Sequence, residues 1–198
     1  LSLPVILASK STARRSVLEG AGVPFDIEVS GVDEDAVKAS LLDRGESPRA
    51  IAEALAEAKA LAVSRGRAGV VVGADQTLEF EQALYDKVET IPEAVERLRR
   101  LRGKAHQLHS AVAAAIDGAI VWRETASAEL TMRDFSDGFL ESYLATEGEA
   151  ALGSVGCYRL EGQGAQLFSR IEGDYFAILG LPLLGLLELL RERGVLAA

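Results

Sequence analysis

Four cationic and two acidic side chains are spread along the chain in a combination that suits phosphate chemistry: Arg14, Arg15, Lys59 and Lys87, with Glu34 and Asp75. Hydrolysis of a phosphate ester or anhydride needs that combination. Cations and a divalent metal offset the oxyanion charge, carboxylates hold the metal, and one base activates water. Taken singly, such residues occur in any acidic globular protein, so the elements that carry them decide what they can do. Other chemistries lack their residues. There is no Walker A motif and no G-x-G-x-x-G after a strand. Neither His106 nor His109 has a serine in a nucleophile-elbow context, and two histidines with the single Cys157 make no zinc site. His106 reads as structural and Cys157 as a small buried residue.

The first pair of cations follows a buried strand, Pro4 to Ala8, which runs into Ser9-Lys10-Ser11-Thr12-Ala13-Arg14-Arg15 and then a helix that lasts until Gly20 and Gly22. A strand-to-helix turn gathers free backbone N–H groups at the positive helix end. With Ser9, Ser11, Thr12 and two guanidinium groups added, the turn reads as an anion site, most naturally for phosphate, with both arginines at its surface. The competing reading is a plain N-cap beside two solvated arginines. Pro24 to Ser30 alternates as a half-buried strand and opens onto the acidic turn Gly31-Val32-Asp33-Glu34-Asp35. Ser47 and Pro48 then start a helix whose apolar stripe is predicted as Ile51, Leu55, Ala58 and Ala62. Lys59 flanks that stripe, where a lysine either snorkels or points into a cleft. Asp75 stands just past the short apolar strand Val70-Val71-Val72, a position that suits a catalytic cleft or, in the structural reading, a helix N-cap.

Beyond Asp75 the pattern predicts a helix over Pro92–Arg102 closed by Gly103, and strands over Gln107–Ile116 and Ala119–Thr131 joined by the hairpin signal Asp117-Gly118. A capped helix from Ser136 to about Ala145 comes next. Glycine-punctuated strand signals run through Leu179, and a last helix spans Pro182–Arg193. Alternating strands and helices around a central hairpin predict an α/β fold with a mixed sheet and flanking helices. The 198 residues, 48% of them hydrophobic, suffice for one sizeable core or two small lobes sharing a cleft. A net charge of -9 disfavours a general nucleic-acid-binding role, while local cations can still focus a polyphosphate. One cysteine fits a reducing compartment. No secretory or membrane-spanning segment is visible, so a cytoplasmic protein without membrane or nucleic-acid partners is expected. Leu1 is not a normal initiator, which predicts a trimmed start.

Read in order, the motifs resemble those of the Maf family of nucleoside triphosphate pyrophosphatases, nearly end to end. Leu7-Ala8-Ser9-Lys10-Ser11-Thr12-Ala13-Arg14-Arg15 resembles the family's opening signature, and Ser30-Gly31-Val32-Asp33-Glu34 its acidic turn. Leu55-Ala56-Glu57-Ala58-Lys59-Ala60 resembles its lysine helix, Val72-Gly73-Ala74-Asp75 its catalytic strand end, and Gly103-Lys104-Ala105-His106 its sheet entry. Ile171-Glu172-Gly173-Asp174-Tyr175 and Gly180-Leu181-Pro182-Leu183 resemble its C-terminal signature. The resemblance implies one domain over 1–198, with two lobes around a deep cleft, as Maf and inosine-triphosphatase-like proteins share. It also implies hydrolysis of a nucleoside triphosphate to monophosphate and pyrophosphate with Mg²⁺ or Mn²⁺, and a possible homodimer. Asp75 would be the general base or a metal-linked acid, Glu34 would help bind the metal, and Ser9, Arg14, Arg15, Lys59 and Lys87 would hold phosphates.

Where the chain departs from the family, it does so at the base. Ala13, Gln76 and Glu161 stand where many members have Arg, Thr and Gln, a combination that resembles the subfamily preferring 7-methyl-GTP over dTTP or UTP. A guanine edge presents N–H donors that suit an acceptor-only carboxylate at Glu161, and N7 methylation adds positive charge that an acidic pocket favours. Lys87-Val88 stands where the family usually has Lys-Pro. Two other readings remain open at this point: a dTTP or UTP pyrophosphatase of the same family, and a non-catalytic nucleotide-binding regulator of cell division.

Overall fold

The computed structural model of the chain describes residues 3–197, so Leu1 and the expectation attached to it lie outside the described residues. The first strand, β1 (Val5–Leu7), leads into helix α1 (Thr12–Gly20) and the short strand β2 (Asp26–Ile27). Helices α2 (Glu34–Asp43) and α3 (Pro48–Ser64) precede strands β3 (Val70–Phe80) and β4 (Ala83–Tyr85). Helix α4 (Ile91–Leu101) is followed by the long strands β5 (Ala105–Ile116) and β6 (Ala119–Met132), then by α5 (Asp137–Glu147). Two 3-10 helices, Gly148–Gly153 and Gln163–Leu167, lead to β7 (Phe168–Glu172), a single helical turn α6 (Tyr175–Ile178) and α7 (Leu183–Glu192).

The strands form one sheet in the order β2-β1-β3-β5-β6-β7, with β4 also paired to β3. β1 runs parallel to both β2 and β3, while β3–β4 and β6–β7 are antiparallel. The sheet is therefore mixed, as the sequence indicates. Asp117 (φ 50°) and Gly118 (φ 77°) both take the left-handed conformation that a two-residue hairpin turn between β5 and β6 needs.

The chain divides into two compact units. The first contains the residues up to Gln76, His109–Ala126, and those from Asp174 onward; the second contains Thr77–Leu108 and Ser127–Gly173. In the first unit both faces of the parallel strands are buried, which is why β1 and the start of β3 read as unbroken apolar runs. Val5, Leu7, Val70 and Val72 pack with Leu18 of α1 and with Leu186, Leu189 and Leu190 of α7. Ile6 and Val71 face the other way, with Val63 of α3. Ala52, Ala56 and Ala60 of α3 lie against Ala111, Ala113 and Ala115 of β5. In the second unit, α4 opens with a full capping box at Thr90 and Glu93. Its buried residues Ala94, Leu98 and Leu101 belong to a unit whose other large buried side chains include Leu130, Met132, Phe135 and Tyr143.

The structure revises several expected elements. The acidic turn opens a ten-residue helix, α2, capped by Asp33. β2 is two residues long where Pro24 to Ser30 was expected, because only Asp26 and Ile27 pair with β1. β3 continues well past Val72 to Phe80. The buried stripe of α3 is Ile51, Ala52, Leu55, Ala56, Lys59, Ala60 and Val63; Ala58 is half-buried and Ala62 exposed. Most of the region expected as strands before Leu179 is 3-10 helix, turn and α6, with β7 alone in the sheet. Among the described residues no helix is long and apolar enough to cross a membrane.

Candidate active site

α3 can lie close to β3 because position 73 is glycine. A Cβ there would meet Ala56 O at 2.2 Å and Ala60 N at 2.5 Å, so helix and strand touch backbone to backbone through the alanine face of α3. This approach sets Lys59 over the strand two residues beyond Gly73. Its Nζ donates to Asp75 Oδ1 at 2.6 Å and reaches Glu34 Oε1 at 2.9 Å. The lysine does not snorkel: it is 5% exposed and Asp75 is 6%. Two buried charges are tolerable only because each is the other's partner. Asp75 lies within β3, so it caps no helix. Glu34, the first residue of α2, is half-exposed and is the third member of this charged cluster.

At the strand-to-helix turn the N-cap of the competing reading is present, and its pair of solvated arginines is not. Ser11 is the N-cap of α1, its side chain accepting from Arg14 N at 3.4 Å. Arg14, however, is buried rather than solvated. Its Nε donates to the carbonyl of Gly180 at 2.8 Å and its Nη1 to Ser9 Oγ at 3.1 Å, while Ser9 Oγ also accepts from Ser11 N at 3.2 Å. Burial holds the guanidinium below its usual pKa, and the charges of Asp75 and Glu34 offset only part of that shift. Arg15, one residue on, is exposed, and Ala13 is half-buried.

Gln76 follows Asp75 with its amide committed to the protein. Nε2 donates to Ser110 Oγ at 2.8 Å, Ile178 O at 3.0 Å and Ala177 O at 3.1 Å. Ser110 Oγ in turn donates to Ala177 O at 2.6 Å. Neither Ser110 nor the Gly180 carbonyl stands out in the sequence as part of the site. Gly180, at φ +92°, lies in the quoted Gly180-Leu181-Pro182-Leu183 run, and Ser110 is a lone hydroxyl heading the alanine-rich run of β5. Those are the only signals they leave.

The first unit thus brings together Ser9, Arg14, Glu34, Lys59, Asp75 and Gln76. Lys87 and Glu161 belong to the second unit. Lys87 is exposed in the segment after β4. The Glu161 carboxylate receives Arg159 Nε at 3.2 Å, and Arg159 also reaches Glu147 at 3.4 Å. Among the described residues no three His, Cys, Asp or Glu side chains converge on one point. The donor set beside Lys59 is a pair of carboxylates, which fits a hard cation that takes one or two carboxylates and completes its shell with water and substrate phosphate. A zinc-type cage would not fit.

The sequence profile of the family described as Maf-like protein matches residues 4–193. A nucleoside triphosphate pyrophosphatase of Caulobacter vibrioides is 56% identical over 193 residues, covering 98% of this chain and 97% of that protein. One of Paramagnetospirillum magneticum is 50% identical over 192 residues, covering 96% and 99%. A protein named 7-methyl-GTP pyrophosphatase, from Rhizobium meliloti, is 48% identical over 195 residues, covering 98% of each.

Proposed function

The chain belongs to the Maf family, and from that premise we propose how it works as a nucleoside triphosphate pyrophosphatase: by attack of water on the α-phosphorus. The bond from that phosphorus to the α–β bridging oxygen breaks, giving a nucleoside monophosphate and pyrophosphate. The observation that carries this reading is the buried Lys59 ammonium held by Asp75 and Glu34 in the unit that also buries Arg14.

Asp75 is the base. Its Oδ1 is engaged by Lys59, which leaves Oδ2 to orient the water and take its proton. Lys59 has three N–H donors; two serve Asp75 and Glu34, and the third is available to a phosphate oxygen. Arg14 is oriented by Gly180 and Ser9, so its remaining N–H groups present a fixed fork to the polyphosphate. Ser9 Oγ already accepts from Ser11 N and Arg14 Nη1, and its own proton is the one left to donate to an anion. Arg15 and Lys87, both exposed, supply further positive charge to the departing pyrophosphate. Glu34 and Asp75 would hold Mg²⁺ or Mn²⁺, which when bound supplies charge neutralisation of the triphosphate.

The base favoured is a modified guanine such as 7-methyl-GTP. Glu161, whose Oε1 accepts from Arg159 Nε, accepts from the guanine edge through its carboxylate; Ala13 leaves room where a larger side chain would stand; Gln76 acts through the backbone it holds. The 7-methyl-GTP names of several relatives support this choice, and the broader name of others leaves the pyrimidine substrates as the competing result. Pyrophosphate release from a panel containing 7-methyl-GTP, GTP, dTTP and UTP is the test. Turnover is expected to be highest on 7-methyl-GTP, to stop with a chelator and to return with Mg²⁺ or Mn²⁺. Preference for dTTP or UTP would overturn the base assignment, and no pyrophosphate from any of them would overturn the whole reading.

A further inference from the structure

Ser110 is 1% exposed, at the head of a stretch of β5 whose next five residues are Ala or Val. A buried hydroxyl is costly unless its hydrogen bonds are made. Both of its recorded bonds lead to one place: it donates to Ala177 O and accepts from Gln76 Nε2, which also donates to Ala177 O and Ile178 O. The Ala177 carbonyl is already satisfied locally, because Gly180 N donates to it at 2.8 Å. The side-chain donors are therefore additional, and what they fix is the path of the chain from α6 to Gly180. Asp174 pins the other end of that turn, accepting from Ala177 N at 2.8 Å. The path ends at Gly180, whose left-handed φ of +92° aims its carbonyl at Arg14 Nε.

We propose that Ser110 is a positioning residue for Arg14: together with Gln76 it fixes the Ala177 carbonyl, and through it the Gly180 carbonyl that orients the guanidinium toward the triphosphate. The proposal rests on the pyrophosphatase reading above. A guanidinium released from Nε still carries its charge, but its fork is no longer aimed, and misplacement of this kind lowers transition-state binding without a change of charge. The base plays no part in this chain of contacts, so every nucleotide should suffer alike.

The test is a double-mutant cycle of Ser110→Ala with Arg14→Lys, which keeps the charge and removes the fork. It is read by kcat/KM on 7-methyl-GTP and UTP and by calorimetric affinity for tripolyphosphate, which needs no hydrolysis. Ser110→Ala alone is expected to lower kcat/KM on both nucleotides by about tenfold and to weaken tripolyphosphate to a similar degree. In the Arg14→Lys background the same substitution is expected to change either readout by less than about twofold. An equal loss in both backgrounds would mean that Ser110 supports the fold generally, and no loss in the wild-type background would mean that it positions nothing; either overturns the proposal. Should Ser110→Ala fail to fold, Ser110→Cys, close in size and a weaker donor, takes its place in the cycle with a smaller loss expected. Wild-type protein that binds tripolyphosphate but hydrolyses no nucleotide would overturn the pyrophosphatase reading alone, leaving the cycle to be decided on affinity. Wild-type protein that neither binds tripolyphosphate nor releases pyrophosphate from any nucleotide would overturn both.

Discussion

Lys59 Nζ donates to Asp75 and Glu34 at once, and substitutions at the two buried partners separate stability from chemistry. Lys59→Met leaves the Asp75 carboxylate buried without its cation, a loss expected to cost about 3–5 kcal/mol. Asp75→Asn keeps an acceptor for Lys59 and removes the proposed base. Its turnover is expected to fall by about 10²–10⁴-fold with the fold retained. The double variant should recover part of the stability lost by Lys59→Met and none of the activity. Chemical denaturation and steady-state kinetics on the three proteins check this, and a folded Asp75→Asn enzyme with most of its activity would remove Asp75 from the mechanism. At this scale the sequence was informative about residue type and less so about exposure. Arg14 and Arg15 look equivalent as neighbours, yet Arg14 shares the buried phase of α1 with Val17 and Leu18 while Arg15 faces out. Helical spacing carried that distinction; the expectation of two surface arginines overlooked it. Arg14→Ala should accordingly cost stability as well as catalysis, whereas Arg15→Ala should leave thermal stability nearly unchanged.

Elements bring these residues within reach, and the α3–β3 contact at Gly73 is the most sensitive of them. An added Cβ would sit 2.2 Å from the Ala56 carbonyl, backbone that cannot rotate aside. Gly73→Ala must therefore lift α3 from the strand and carry Lys59 away from Asp75. A loss of several kcal/mol, about the scale of an overpacked core, is expected together with loss of activity; unchanged kcat/KM in a folded Gly73→Ala protein would contradict the close-approach argument. Which elements could be read from sequence follows the same physics. β1, α3, α4 and the β5–β6 hairpin announce themselves through apolar periodicity, caps and a positive-φ turn. α2 does not, because Leu41 is its one buried residue and it presents no apolar stripe. The true length of β3 was hidden by its polar residues: Asp75 and Thr77 are buried in mid-strand, and polar residues there look like the end of a strand.

At the scale of the molecule, the acid limb of stability has an identifiable contributor. His106 is buried in the second unit, with Nε2 2.7 Å from the Tyr158 hydroxyl and Nδ1 without a hydrogen-bond partner among the described residues. Burial lowers its pKa from 6.5 to about 4. Between those values the unfolded chain binds a proton that the folded chain refuses, so stability falls as pH drops through the window from 6.5 to about 4 and is unaffected by this group above it. The loss is on the order of 3 kcal/mol. Denaturant unfolding of wild type and His106→Gln at pH 7.5 and 4.5 reads it: the variant should lose less stability on acidification, and equal losses would contradict the assignment. The mixed α/β sheet was legible in advance; the base-recognition role proposed for Glu161 rests on carboxylate chemistry alone, since nothing in one sequence says which groups that carboxylate meets.

Hydrolysis in ¹⁸O-labelled water tests the mechanism at its centre, because attack at the α-phosphorus and attack farther along the chain release different labelled products. With 7-methyl-GTP as substrate, mass spectrometry should find one ¹⁸O in the nucleoside monophosphate and none in the pyrophosphate. Label in pyrophosphate, or release of nucleoside diphosphate and inorganic phosphate, would contradict water activated by Asp75 at the α-phosphorus.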